Sequence, residues 1–286
     1  LGVVTVASCL MFGGVSGSAI ADTAAIGSLV IPAMVQRGYS RGFAAALLAV
    51  AGTLALLMPL SIPFLVYAFI SGVSMRQLSM AGIAPAIIAG AALMAVCVWH
   101  GRRTGCDSGD GRLSAREVWK ATKAAGPALL MPLIIVGGIW SGFFTPTESA
   151  AVAVVYGIVV SLALYRDITV RDLPRLLVKA FQTSATVMLV IGATGALAWL
   201  ITAEQVAVQL AAWIKVVAAQ QWTFLLMVNV ALLLLGIFIE PLPAMLLTAP
   251  LLLPIAQSFG IDLVHLGVVI TANLAIALYT PPVGGT

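Results

Sequence analysis

The sequence predicts an all-α polytopic membrane protein, arranged as inverted repeats with two re-entrant helical hairpins and two broken helices. Three observations carry that expectation. Of the 286 residues, 62% are hydrophobic and 8% charged, far below the roughly 25% charged side chains of a soluble domain. The apolar tracts are helix-sized and punctuated by Gly and Pro, whereas an outer-membrane barrel would alternate its residues in segments of about ten. Finally, a stretch near the start recurs near the end at one gapless offset. The three cysteines, Cys9, Cys97 and Cys106, form no CxxC pair and leave an odd count, which argues against a disulfide framework or a cysteine metal site. Leu1 opens an apolar run with no charged segment before it, so the start is not read as a signal peptide. The chain is expected to be an internal piece of a longer protein.

Residues 1–36 carry a polar glycine cluster, Gly13 to Ser18, in their middle. Each arm is then shorter than the roughly 20 residues that span hydrocarbon, which predicts a re-entrant hairpin. Residues 42–75 form a broken helix interrupted at Leu57 to Pro63, and 79–99 a further helix; together with the hairpin they make a first repeat, 1–100. The mixed-charge segment 101–123 reads as a cytoplasmic connector. The second repeat, 124–286, begins with helices at 124–147, 149–165 and 180–203. An amphipathic interfacial helix follows at 205–219, where Val206, Leu210, Trp213 and Ile214 recur at helical spacing. A second hairpin, 221–258, turns at Ile239 to Pro243, where two prolines and an acid interrupt a continuous helix. A second broken helix, 263–286, ends at Tyr279 to Gly284.

Basic residues set the orientation, because cytoplasmic loops collect Lys and Arg. If both hairpins turn back, one side receives Arg37, Arg41, six basic residues from Arg102 to Lys123 and four from Arg166 to Lys179. The other side receives Arg76 and Lys215, a ratio of twelve to two. Five crossings lie between the hairpins, so the second enters from the opposite face, as inverted repeats of secondary transporters do. A shift of 222 positions lays the segment from Ile31 on the segment from Leu253. Pro32 then meets Pro254, Gly38 meets Gly260, Ala55 meets Ala277 and Pro59 meets Pro281.

Five segments resemble the large membrane subunit of tripartite ATP-independent periplasmic (TRAP) transporters: Ser16 to Tyr39, Met58 to Tyr67, Phe143 to Gly157, Thr248 to Val269 and Asn273 to Gly284. They cover the chain nearly end to end in the family's order. Ala55, Leu60 and Ala277 depart from residues common at the family's helix breaks. The resemblance implies a sodium-driven secondary importer in the bacterial inner membrane that moves its hairpin-bearing domain as an elevator. It further implies a small membrane subunit and a periplasmic substrate-binding protein as partners, and C4-dicarboxylates, sialic acid or similar carboxylated sugars and keto acids as substrates. Sodium is the only metal expected, with no other cofactor, no enzymatic activity and no nucleic-acid partner.

Hard cations take oxygen ligands, and unwound backbone at membrane depth lines a wet cavity or is buried in protein. The expected sodium contacts are therefore Ser16, Gly17, Ser18, Pro59 and Ser61 in the first half, and Glu240, Asn273, Thr280 and Pro281 in the second. Each hairpin's second arm also starts with free N–H groups and the positive end of a helix dipole, which suit a carboxylate. That places substrate contacts at Ser18, Ala19, Ala244 and Met245. Asp22 and Glu240 are the hairpins' acids, and a functional role for either faces the cation, because an acid repels an anionic substrate. Glu148 reads as a helix-start residue, and His265 as a polar interfacial one. Two rival classes are a passive channel, which needs no sodium gradient, and an intramembrane serine protease using Ser16 in Gly14-Val15-Ser16-Gly17 with His265 as base.

Overall fold

The computed structural model describes residues 1–106, 115–217 and 220–281. Its elements are α1 (Gly2–Ser16), α2 (Ala19–Gln36), α3 (Arg41–Thr53) with a 3-10 turn at Leu54–Leu57, α4 (Ile62–Ser71) and α5 (Met75–Thr104). There follow α6 (Ala115–Trp140), α7 (Pro146–Val159) with a π turn at Val160–Tyr165, α8 (Leu173–Ala203), α9 (Val206–Val217), α10 (Gln221–Gly236), α11 (Pro241–Ser258) and α12 (Leu263–Leu278). No strand occurs among the described residues. Seven segments there are long and apolar enough to cross a membrane, with most of α1, α10 and α12 as shorter apolar helices. The all-α polytopic class is thus the observed one.

Several helices run past the apolar stretches that announce them. α5 starts at Met75, not 79, and continues to Thr104, while α6 starts at Ala115 and α8 at Leu173. Charge ends a hydrophobic run, but Lys and Arg are good helix formers; the ends are set by caps such as Gly105, at φ 67. The segment expected as a connector, 101–123, is consequently helical at both ends, and its residues 107–114 lie outside the described ones.

The chain divides into two compact units, Leu1–Ser108 with Ala193–Thr286, and Gly109–Gly192. The first gathers both hairpin segments and both broken helices. There the 222-residue repeat is visible in the backbone: α2 and α11 are each 18 residues, and the shift carries the bounds of one onto the other. Both end in the same turn. Tyr39 N–H donates to Met34 O and Ile261 N–H to Ala256 O, with Gly38 at φ 89 and Gly260 at φ 70. Those angles fall in the left-handed region where glycine avoids a Cβ penalty. Ser40 and Asp262 then cap α3 and α12 by accepting from the N–H of Phe43 (3.2 Å) and His265 (2.9 Å).

The glycine cluster of the first hairpin is mostly helical. Gly13 and Gly14 stay within α1 and only Gly17 and Ser18 leave it. Gly13 is needed for approach, since a Cβ there would lie 2.6 Å from the Cα of Ala55. Gly236 seats likewise against Ala277, the repeat partner of Ala55, as small residues do in membrane bundles.

The halves are tied by Tyr67, whose side chain is fully buried and whose hydroxyl donates to Leu263 O at 2.7 Å. Gly267 lies under its ring. Tyr67→Phe should lower unfolding stability by about 1 kcal/mol, the usual net value of one hydrogen bond. Gly267→Ala should cost more, because its Cβ collides with that ring. Thermal unfolding of the two variants in one detergent checks the order.

In the other unit α6 packs on α7. The Ser149 hydroxyl donates to Ile135 O (2.9 Å) and the Tyr156 hydroxyl to Pro127 O (2.7 Å). Glu148 closes a capping box with Thr145: its carboxylate accepts from Thr145 N–H at 2.8 Å, and its own N–H donates to the Thr145 hydroxyl at 3.3 Å. That is the structural role its position suggested.

Candidate functional site

The first tip is a two-residue break between α1 and α2. Gly17 adopts φ 61 and its carbonyl accepts from Ile62 N–H at 3.4 Å, across the broken helix. A Cβ on Gly17 would lie 2.9 Å from Ser61 Cα, so tip and break touch through backbone. Ser61 is fully buried and caps α4 by accepting from Phe64 N–H at 3.4 Å. Pro59 is buried in the same break, and Leu60 holds φ 70, a left-handed conformation that costs a branched residue about 1–2 kcal/mol.

Ser16 sits at the centre of the polar atoms. Its hydroxyl donates to Asp22 Oδ1 and accepts from Ser18 N–H at 3.2 Å. Ser18 caps α2, accepting from Ala21 N–H at 3.4 Å. Asp22 is 0% exposed, and its second oxygen, Oδ2, is buried with no hydrogen-bond partner among the described residues. The neighbouring Thr23 hydroxyl is also buried without a partner and lies against Gly52. A buried carboxylate with an idle oxygen is expensive in a membrane unless something cationic meets it.

Ala19 packs with Leu56, Ala275 and Leu278. The first tip, the first break and the end of the second broken helix therefore meet at one place. Ser16, Gly17, Ser18, Ser61 and Asp22 are brought together there.

The second set of residues is spread out. Glu240 is exposed and precedes α11 without a side-chain cap. The buried Asn273 donates its amide to Asn229 Oδ1 on α10 and to Val269 O at 2.7 Å. Thr280 lies seven residues further on, about 10 Å along the helix axis, with its hydroxyl donating to Ile276 O at 2.7 Å. No hydrogen bond joins Glu240 to Thr280 or Pro281 among the described residues, and 282–286 lie outside them. Ala244 and Met245 are fully buried in the core, and Ala244 N–H already donates to Glu240 O at 3.0 Å. Pro241 and Pro243 fill two of the first three positions of α11 and have no N–H, so only Leu242 offers an amide there. The start of α2 carries no proline.

Two residues of this region were under-read from sequence. Asp22 is absent from the expected sodium contacts, yet the fold turns its carboxyl onto Ser16 at the tip. Asn229 is the lone polar residue in the run Leu225 to Leu235, and a polar group in an apolar helix was signal enough.

A hairpin and a broken helix repeated at a fixed offset, with unwound backbone meeting at buried polar atoms, define the permease class of secondary transporters. The chain belongs to the family of the DctM component of tripartite ATP-independent periplasmic transporters, which it matches over residues 1–286. It is 39% identical over 284 residues to the C4-dicarboxylate TRAP transporter large permease protein DctM of Pseudomonas aeruginosa, covering 99% of this chain and 66% of that one. It is 37% identical to the sialic acid TRAP transporter large permease protein SiaM of Vibrio cholerae, with 99% and 66% covered. It is 35% identical to the 2,3-diketo-L-gulonate TRAP transporter large permease protein YiaN of Escherichia coli, with 99% and 67% covered. The chain thus spans about two thirds of the length of these relatives. It is a multi-pass inner-membrane protein and a transporter component, not an enzyme. Geometry agrees in setting the protease reading aside. His265 stands in the first turn of α12, ten residues before the Ala275 that packs beside the tip, which is about 15 Å along the axis.

Proposed function

We propose that this chain is the membrane pathway of a sodium-coupled importer of an organic acid, working with a small membrane subunit and a periplasmic binding protein that delivers the acid. The observation that carries the reading is the idle, buried Asp22 oxygen beside Ser16 at the first tip. Sodium takes oxygen ligands, and the Ser16, Ser18 and Ser61 hydroxyls and the Gly17 carbonyl supply them around that carboxylate. Gly17 O retains a lone pair beyond its bond from Ile62. A second sodium site at Thr280 and Pro281 is the repeat-related counterpart. The acid's carboxylate is bound near the start of α2, whose amides are intact, in preference to the proline-blocked start of α11. The relatives' named cargoes, C4-dicarboxylate, sialic acid, 2,3-diketo-L-gulonate and isethionate, are all organic acids, the first three carboxylates and the last a sulfonate. The unit holding both hairpins is the moving body of an elevator, with its cytoplasmic side fixed by the basic segments.

The test is uptake by the complete three-component transporter in proteoliposomes. Accumulation should require an inward sodium gradient and vanish when potassium replaces sodium. Ser18→Ala or Thr280→Ala should raise the sodium concentration for half-maximal uptake roughly tenfold, the weight of about 1.4 kcal/mol of lost ligand, at unchanged expression. Wild-type sodium dependence in both variants defeats the site assignment. Equilibration of substrate without any sodium gradient favours the passive channel.

A further inference from the structure

The two hairpins differ in how their arms meet. α1 and α2 pack on each other, while α10 and α11 part around a cavity of about 210 Å³ that α9 closes on a third side. Along α10 the lining follows one helical stripe that includes Phe224, Val228, Ala231 and Leu235, residues that span about 16 Å of the helix axis. α11 contributes Thr248 and Leu252, and α9 contributes Leu210 and Ile214. Among the described residues Thr248 is the only polar side chain in the lining, and its hydroxyl is spent on Ala244 O at 2.8 Å. Water needs two to four polar partners, and an apolar cavity of about 150 Å³ already stays dry and takes up apolar guests. Trp222 at the start of α10 and Trp213 on α9 are 61% and 68% exposed, as aromatic side chains are at the headgroup level.

We propose that this cavity holds one acyl chain of a membrane phospholipid, running along α10 between the arms of the second hairpin with its headgroup at the level of Trp213 and Trp222. Length, dryness and the aromatic level at one end fit a hydrocarbon chain and not a compact solute. The chain occupies space that direct arm-to-arm packing occupies in the first hairpin. This inference concerns the second hairpin alone and stands apart from the sodium reading of the first tip.

The experiment uses the protein in phosphatidylethanolamine nanodiscs doped with a phosphatidylcholine that carries a diazirine midway along one acyl chain. After irradiation, peptide sequencing should find adducts on the cavity side, at Val228, Ala231 or Leu252, as well as on the outward residues Leu226, Val230 and Leu234, which are 55%, 52% and 60% exposed. Ala231→Phe fills the cavity from its rim and should cut the cavity-side adducts about tenfold, because overfilled space excludes the chain, while outward adducts persist. Should that variant not fold, Leu252→Phe fills the same space from the opposite wall. Adducts confined to the outward face, or cavity adducts indifferent to filling, overturn the proposal. Cavity labelling by a diazirine fatty acid but not by the phospholipid overturns the assignment to a phospholipid.

Discussion

Asp22→Asn abolishes the response to sodium while leaving the protein at least as stable in sodium-free buffer. Asn keeps an oxygen to accept the Ser16 hydroxyl but removes a buried charge whose second oxygen has no partner. Losing an uncompensated buried charge does not destabilise a fold and often helps it. A ligand that binds only the folded state stabilises it by about 2.7 kcal/mol at one hundred times its dissociation constant. Wild-type protein should therefore melt several degrees higher in saturating sodium than in choline, and Asp22→Asn should show no such rise. In the complete transporter, sodium-driven uptake should fall on the order of 100-fold, the equivalent of about 3 kcal/mol. An undiminished sodium-dependent rise in the melting temperature of the variant would show that Asp22 does not face the cation.

The second large effect is expected at Gly17, and Gly72 is its matched control. Both residues have positive φ, 61 and 71, and both follow a helix. Each should lose about 1–2 kcal/mol on conversion to Ala from the left-handed backbone alone. Around Gly72 a Cβ meets nothing within 4 Å, whereas at Gly17 it meets Ser61 Cα at 2.9 Å and Ile62 N at 3.1 Å. These are backbone atoms and cannot swing aside. Gly17→Ala must push the tip off the break and stretch the Ile62 N–H bond to Gly17 O, for a total of roughly 3–4 kcal/mol once overpacking is included. Chemical or thermal unfolding of the two variants measures the difference. Equal losses would mean that the tip is free of the break and that the contact has no energetic weight.

These two glycines show how far a linear reading reaches. Gly17 and Gly72 each end a helix, but only the Gly17 cluster reads as a break in sequence; the helix through Gly72 is expected to run to residue 75, whereas α4 ends at Ser71. Packing separates their energetics, because what a Cβ meets depends on residues 44 positions away in one case and on open space in the other. The same limit applies at the candidate site. Ser16, Gly17, Ser18 and Ser61 were legible as a cluster because two break motifs fall at repeat-related places. The hydrogen bond from Ser16 to Asp22 was not legible, since it crosses a helix break whose geometry no periodicity encodes. Asn273 is an expected sodium contact, yet its amide is engaged by Asn229, a partner 44 residues away.

What the sequence determined by itself is the class and the order of the elements. Too few charges for a soluble surface force the chain into lipid, and lipid leaves helices as the way to satisfy the backbone. Proline and glycine then mark where those helices stop, and their recurrence at one offset marks the repeat. The tertiary structure decided which polar atoms are buried together, which amides remain open and where arms part around a cavity. These depend on contacts between distant residues. In an apolar chain almost any side chain satisfies the local pattern, so the pattern fixes that a residue is inside without fixing what it meets there.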